Sequence, residues 1–122
     1  MKIWTFILTM VLTHSNASAS NEALQAGFEW MTNKQVGNCI ACHDLPGVPG
    51  MVSSFGPSLK GVGSRLSKQA LTQWVVDARK INPNTLMPPF GTTEGLSKTN
   101  PPRVILTKSQ LEQVVDTLAS WQ

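Results

Sequence analysis

The chain has 122 residues, 10 Lys+Arg against 7 Asp+Glu, and a net charge of +3. That length suits one domain and excludes a multidomain enzyme. With 41% hydrophobic and 14% charged residues it is neither disordered nor a coiled coil, and two cysteines are too few for a disulfide-stapled mini-protein.

Residues 1–19 read as a secretory signal: Lys2 gives the positive start, Ile3 to Leu12 the apolar core, and Ala17-Ser18-Ala19 a small-x-small cleavage site. An apolar stretch of about ten residues suits a signal peptide and falls short of a membrane span. An uncleaved anchor or a first core helix is the competing reading. Cleavage after Ala19 leaves residues 20–122 as one domain, with one histidine (His43), two cysteines (Cys39 and Cys42) and three methionines (Met31, Met51 and Met87). Loss of Lys2 leaves 9 Lys+Arg against 7 Asp+Glu, a net charge of +2.

Three helices are predicted in the remainder. Ser20 or Asn21 caps the first, from about Glu22 to Asn33, with Leu24, Phe28 and Met31 on one face. Ser67 caps the second, where Leu71, Trp74, Val75 and Ala78 repeat at helical spacing and Arg79 and Lys80 suit the dipole of its last turn. The third runs from Thr107 to about Trp121. Leu111, Val114, Val115 and Leu118 form its apolar face, and Thr107 with Gln110 makes a capping-box pattern. No alternating run is long enough to assign a strand, so the expected class is all-α. Between the helices, Asp44 to Leu66 and Ile81 to Leu106 hold all eight prolines and seven of the nine glycines. Loops that long in a compact domain need a reason, and a large apolar cofactor around which they wrap supplies one.

Cys39-Ile40-Ala41-Cys42-His43 supplies that reason. In a C-x-x-C-H segment two thiols one turn apart can add to the vinyl groups of a haem, and the adjacent imidazole reaches the iron. A zinc site wants four ligands, but the processed chain has only three Cys and His residues in total. A thioredoxin-like motif wants a βαβ context. A short disulfide would leave His43 without a role.

With no second histidine after processing, the sixth ligand is sought among the methionines. Met31 sits on the apolar face of the first helix, where a core role is the default. Met51, eight residues after His43, would have to round the haem edge almost at once. Met87, 44 residues after His43, has room to cross to the opposite face, and Pro88-Pro89 stiffen its loop. Met87 is therefore the expected ligand, with simple packing against the core as the competing reading. Pro57 lacks an N–H but keeps a carbonyl that could accept from His43 Nδ1. A plain turn proline is the alternative.

These residues bring a family into view. Cys39 to His43, then Gly56-Pro57-Ser58-Leu59-Lys60-Gly61 with Arg65, Met87-Pro88 and an apolar C-terminal helix resemble the class I cytochromes c. Within that family, Gly37 to His43, Asn82 to Gly91 and Val114 to Leu118 resemble the SoxX subunits, the monohaem partners in SoxAX cytochromes of bacterial sulfur oxidation. The resemblance covers nearly the whole processed chain. It departs from the general family at Thr117, where an aromatic often precedes the leucine of the last helix.

The resemblance implies a periplasmic protein with one covalent haem c on Cys39 and Cys42, and iron held by His43 and Met87. It implies that Pro57 accepts from the haem histidine and that Arg65 lies near a propionate. It also implies a heterodimer with a SoxA-like haem subunit. The complex joins thiosulfate oxidatively to a carrier-protein cysteine, an L-cysteine S-thiosulfotransferase activity, and this chain takes the electrons and passes them to a downstream acceptor. No catalysis is expected from the chain alone. Two other readings are a freestanding cytochrome c electron shuttle and a haem enzyme or sensor with an open iron position, the latter disfavoured by Met87. Two propionates bring the net charge of +2 to roughly zero, so the basic balance is no argument for nucleic acid or an anionic membrane. Lys60, Arg65 and Lys68 read most simply as solvated surface, and more sharply as a propionate-pairing, partner-facing rim.

Overall fold

The computed structural model describes residues 15–50, 53–95 and 101–122, with side chains from residue 20 onward. The predicted signal core and Met51 lie outside the described residues. Among those described, the elements are helical and no strand occurs: α1 (Ser15–Thr32), a 3₁₀ turn (Cys39–Ala41), α2 (Val62–Arg65), α3 (Lys68–Asp77), a second 3₁₀ turn (Ala78–Lys80) and α4 (Lys108–Ser120). No helix among the described residues is long and apolar enough to cross a membrane.

The three predicted helices are present, with shifted ends. α1 begins at Ser15, so Ser20 and Asn21 lie inside the helix and do not cap it. α3 starts where Ser67 accepts from the Ala70 N–H. It stops at Asp77, whose backbone (φ −159°, ψ 90°) leaves the helical region while its side chain caps the following 3₁₀ turn. Arg79 and Lys80 therefore do not sit in the last turn of α3. They pair with Asp77 and Glu94. α4 carries the full capping box between Thr107 and Gln110. The one-turn α2 was not expected. Gly61, at φ +66°, turns the chain into it.

The core lies where α1 and α3 pack against α4. Met31, Leu45, Leu106, Val114 and Val115 are its largest fully buried side chains. Each contributes on the order of 1.5–3 kcal/mol of burial. Met31 thus occupies the core position its helix face implied.

Thr117, the departure from the family pattern, is what sets the crossing of the terminal helices. It is buried, and its Oγ1 donates to the Leu24 carbonyl of α1 at 2.8 Å or the Gln113 carbonyl of its own helix at 3.0 Å. Opposite it stands Gly27, where a Cβ would overlap Thr117 Oγ1 and the Gln113 carbonyl. A glycine facing a hydroxyl lets the helices approach to backbone contact. Trp30 adds a second tie, its Nε1 donating to Gln113 Oε1 at 2.7 Å.

Candidate functional site

Cys39, Cys42 and His43 are placed by a tight turn that starts at the end of α1. Gly37 N–H returns to the Trp30 carbonyl and Asn38 N–H to the Asn33 carbonyl. Asn38 then adopts φ +50°, a left-handed conformation that asparagine tolerates better than most residues. The 3₁₀ turn follows, with Cys42 and His43 N–H groups both directed to the Cys39 carbonyl, at 3.2 and 2.9 Å. Both cysteines are half-buried and neither is in a disulfide. Burial, with Cys42 beside it, pushes the Cys39 thiol up to about 12, against a weaker opposing pull from a backbone hydrogen bond. In the folded chain Cys39 is a neutral thiol at physiological pH.

His43 is oriented by the loop that follows. Its Nδ1 lies 2.7 Å from the Pro57 carbonyl. A carbonyl can only accept, so Nδ1 carries the proton, and the tautomer this selects for the neutral ring has its lone pair on Nε2. The loop is stitched back onto the cysteine turn: Gly56 N–H donates to the Cys42 carbonyl at 2.7 Å, Leu59 N–H to the Asp44 carbonyl at 2.9 Å, and Ser53 Oγ to the Ala41 carbonyl at 3.1 Å. Gly56 lies directly on the imidazole, where a Cβ would stand 2.5 Å from Cε1 and 2.7 Å from Nδ1. In the sequence Gly56 stands only within the Gly56-Pro57 stretch of the family resemblance, with no role of its own.

The basic residues near the loop have protein partners. Arg65 donates to the Lys60 carbonyl at 2.6 Å and the Ser58 carbonyl at 2.7 Å, fastening the end of the histidine loop. Lys60 pairs with Asp44 at 3.0 Å, and Ser58 Oγ donates to the same carboxylate at 3.1 Å. The bonded Lys60 ammonium, helped by Ser58, holds the Asp44 carboxyl below its ordinary range. Lys68 pairs with Asp116 and so ties α3 to α4.

Met87 comes from a separate loop. It is half-buried and packs, as Cys39 does, against the apolar core. Its N–H is held by Thr85 Oγ1 at 3.1 Å. Just beyond, Pro89 and Phe90 are buried. Phe90 and Gly91 N–H groups bond the Val75 and Val76 carbonyls of α3 at 3.2 and 3.0 Å, and the Phe90 carbonyl accepts from Leu106 N–H at 2.9 Å. Gly91 permits this approach, since a Cβ there would stand 2.7 Å from Leu111 Cδ1. Phe55 (80% exposed) and Leu86 (85%), next to Gly56 and Met87, are the most exposed large apolar side chains described.

The donor set fits a covalent haem. Two thiols not joined in a disulfide and an imidazole with its Nε2 lone pair free stand on one turn, and large apolar groups project from the two loops that hold His43 and Met87. Among the described residues no group of three or more His, Cys, Asp and Glu is arranged to hold a metal ion by itself.

The all-helical arrangement with long loops is a small cytochrome c-like fold. The chain is SoxX-like: it is similar to a solved structure of SoxXA from P. pantotrophus, with a TM-score of 0.71 and 29% sequence identity over 80% of each chain. No family model and no curated protein sequence matches it.

Proposed function

We infer that this chain is a SoxX-type cytochrome c, the electron-accepting subunit of a complex that oxidises sulfur compounds. In this reading residues 1–19 are a cleaved signal, and the mature protein works in the periplasm beside a SoxA-like haem subunit. The reading is carried by His43, whose Nδ1–H is committed to the Pro57 carbonyl so that only Nε2 can ligate iron. The likeness to SoxXA supports the choice of partner.

Cys39 and Cys42 would each add S and H across one vinyl group, fixing the haem to the turn that presents His43. Bound haem supplies a reversible one-electron couple. The chain's own residues do the rest. Pro57 and Gly56 fix the imidazole, and Met87 offers a thioether from its stiffened loop. With both thiols used to hold the haem and His43 and Met87 engaged by its iron, this chain would have no thiol left to act on substrate sulfur. The joining of thiosulfate to a carrier cysteine then belongs to the partner.

The test is direct. Haem should stay with the polypeptide after denaturation and extraction into acidified organic solvent, and the native ferric protein should show a low-spin spectrum with a thioether-to-iron charge-transfer band. Met87→Ala should abolish that band and lower the reduction potential, since a thioether favours ferrous iron. Met31→Ala should keep the band at a packing cost of about 2–5 kcal/mol. Extractable haem, or a band that survives Met87→Ala, would sink the assignment. Co-purification with a second haem polypeptide separates the SoxX reading from a freestanding electron shuttle.

A further inference from the structure

Among the described residues, Asp77 is the only charged side chain that is buried, at 3% exposure. A lone carboxylate in that setting would be strongly destabilising, so its partners matter. Arg79 supplies all of them. Its Nε and backbone N–H donate to Asp77 Oδ1 at 2.8 and 3.2 Å, and its Nη2 to Oδ2 at 2.9 Å. This is a two-pronged, charge-assisted contact, stronger and more directional than an ordinary surface pair.

The same Nη2 reaches further. It donates to the Glu94 carbonyl at 2.6 Å, while Lys80 Nζ bonds Glu94 Oε1 at 3.0 Å. Gly95, at φ +75°, passes against the guanidinium, where a Cβ would stand 2.9 Å from Nη1. Arg79 therefore joins the point where the chain leaves α3 to the point where it returns, and Met87 lies between them. The next fastenings inward, Phe90 and Gly91 on the Val75 and Val76 carbonyls, use the end of α3 that Asp77 terminates. One partly buried ion pair thus fixes both the end of α3 and the closure of the methionine loop. Closing such a loop lowers the entropy that a ligand on it must lose when it binds.

We propose that Arg79, held by Asp77, is the positioning residue for Met87, closing the base of the loop that presents the thioether to iron. This rests on the reading of Met87 as an iron ligand. A thioether is a weak ligand, so its occupancy depends on how well the loop holds it in place. Loosening the base should let an external ligand compete, even when the fold persists.

The experiment titrates ferric holoprotein with imidazole, following loss of the thioether band, alongside far-UV circular dichroism and thermal unfolding. Arg79→Gln should bind imidazole about tenfold more tightly at unchanged helix content, equivalent to about 1.4 kcal/mol. Arg79→Lys, which keeps the charge but lacks the fork, should fall between and carries the test where Arg79→Gln does not fold. Thr117→Val, which weakens the α1–α4 crossing, should lower the thermal midpoint yet leave imidazole affinity within about twofold. Unchanged affinity in both Arg79 variants overturns the proposal, as does an equal gain in Thr117→Val. A wild-type protein without the band, or a band that persists in Met87→Ala, instead removes the Met87 reading beneath it.

Discussion

At His43, orientation comes from two neighbours that act in different ways. Pro57 offers an acceptor 2.7 Å from Nδ1, and Gly56 offers the absence of a side chain. Gly56 has little freedom to withdraw, because its N–H is tied to the Cys42 carbonyl and the acceptor proline follows it. Gly56→Ala should therefore tilt the imidazole off the Pro57 carbonyl while the haem stays covalently attached. The expected sign is high-spin character in the ferric absorption spectrum, and an unaltered spectrum would take Gly56 out of the site. The two residues also differ in how readable they were. A proline has no N–H and keeps its carbonyl, so an acceptor role for Pro57 could be named from the sequence beside that of a plain turn proline, and the family resemblance favoured the first. The need for empty space over a ring becomes visible only when the ring has a place. Arg65 was harder still, since its bonds to the Lys60 and Ser58 carbonyls follow from no local pattern in the sequence.

Helix ends with side-chain caps were legible, and those set by tertiary contacts were not. Ser67 and the Thr107–Gln110 box act locally, within four residues, so pattern sufficed. Asp77 ends α3 with a carboxylate that accepts from Arg79 two residues on, and it is the burial of Asp77 and the reach of Arg79 to the Glu94 carbonyl, both tertiary, that a local pattern does not report. α2 is a single turn, too short for periodicity to register. In the full chain α1 continues through the serines and asparagines near its start, residues that favour caps over helix interiors, and so begins earlier than propensity predicts. Two measurements address this scale. Thr117→Val keeps shape but deletes the hydroxyl that reaches Leu24, so unfolding should become easier by about 1–2 kcal/mol with the thioether band intact. No loss of stability would mean that the glycine-to-threonine approach does not hold α1 on α4. The second concerns acid. Arg79, bonded to Asp77 and aided by the charge on Lys80, holds the Asp77 carboxyl below its ordinary value of 3.8. A carboxyl lowered on folding stabilises fully above its unfolded value, and that contribution is lost as pH falls through the folded value. The gap in thermal midpoint between wild type and Asp77→Asn should thus be widest at neutral pH and narrow below about pH 4. A gap that stays constant down to pH 2 would contradict this.

The whole molecule is short of the groups that sulfur chemistry needs. Persulfide and thiosulfonate chemistry calls for a thiolate that can be reached. The chain has two cysteines, and in the fold Cys39 is a neutral thiol pushed up to about 12 by burial. In the proposed holoprotein both sulfurs are thioethers, and His43 and Met87 leave iron no open position for substrate. The +2 charge of the processed chain would be roughly cancelled by two propionates, so net charge supplies no general attraction for thiosulfate. In that reading the chain's part is a helical frame that would hold one redox couple. The isolated holoprotein should accordingly be reduced and reoxidised reversibly by small mediators, and should produce nothing from thiosulfate and a carrier-protein thiol. Adding the SoxA-like partner should start turnover, with electrons appearing on this chain's haem as product forms. The partner alone should form product only to the extent that another electron acceptor is present. Thiosulfate-dependent product from this chain by itself, with the thioether band still in place, would move the sulfur chemistry here and reverse the division of labour between the two subunits.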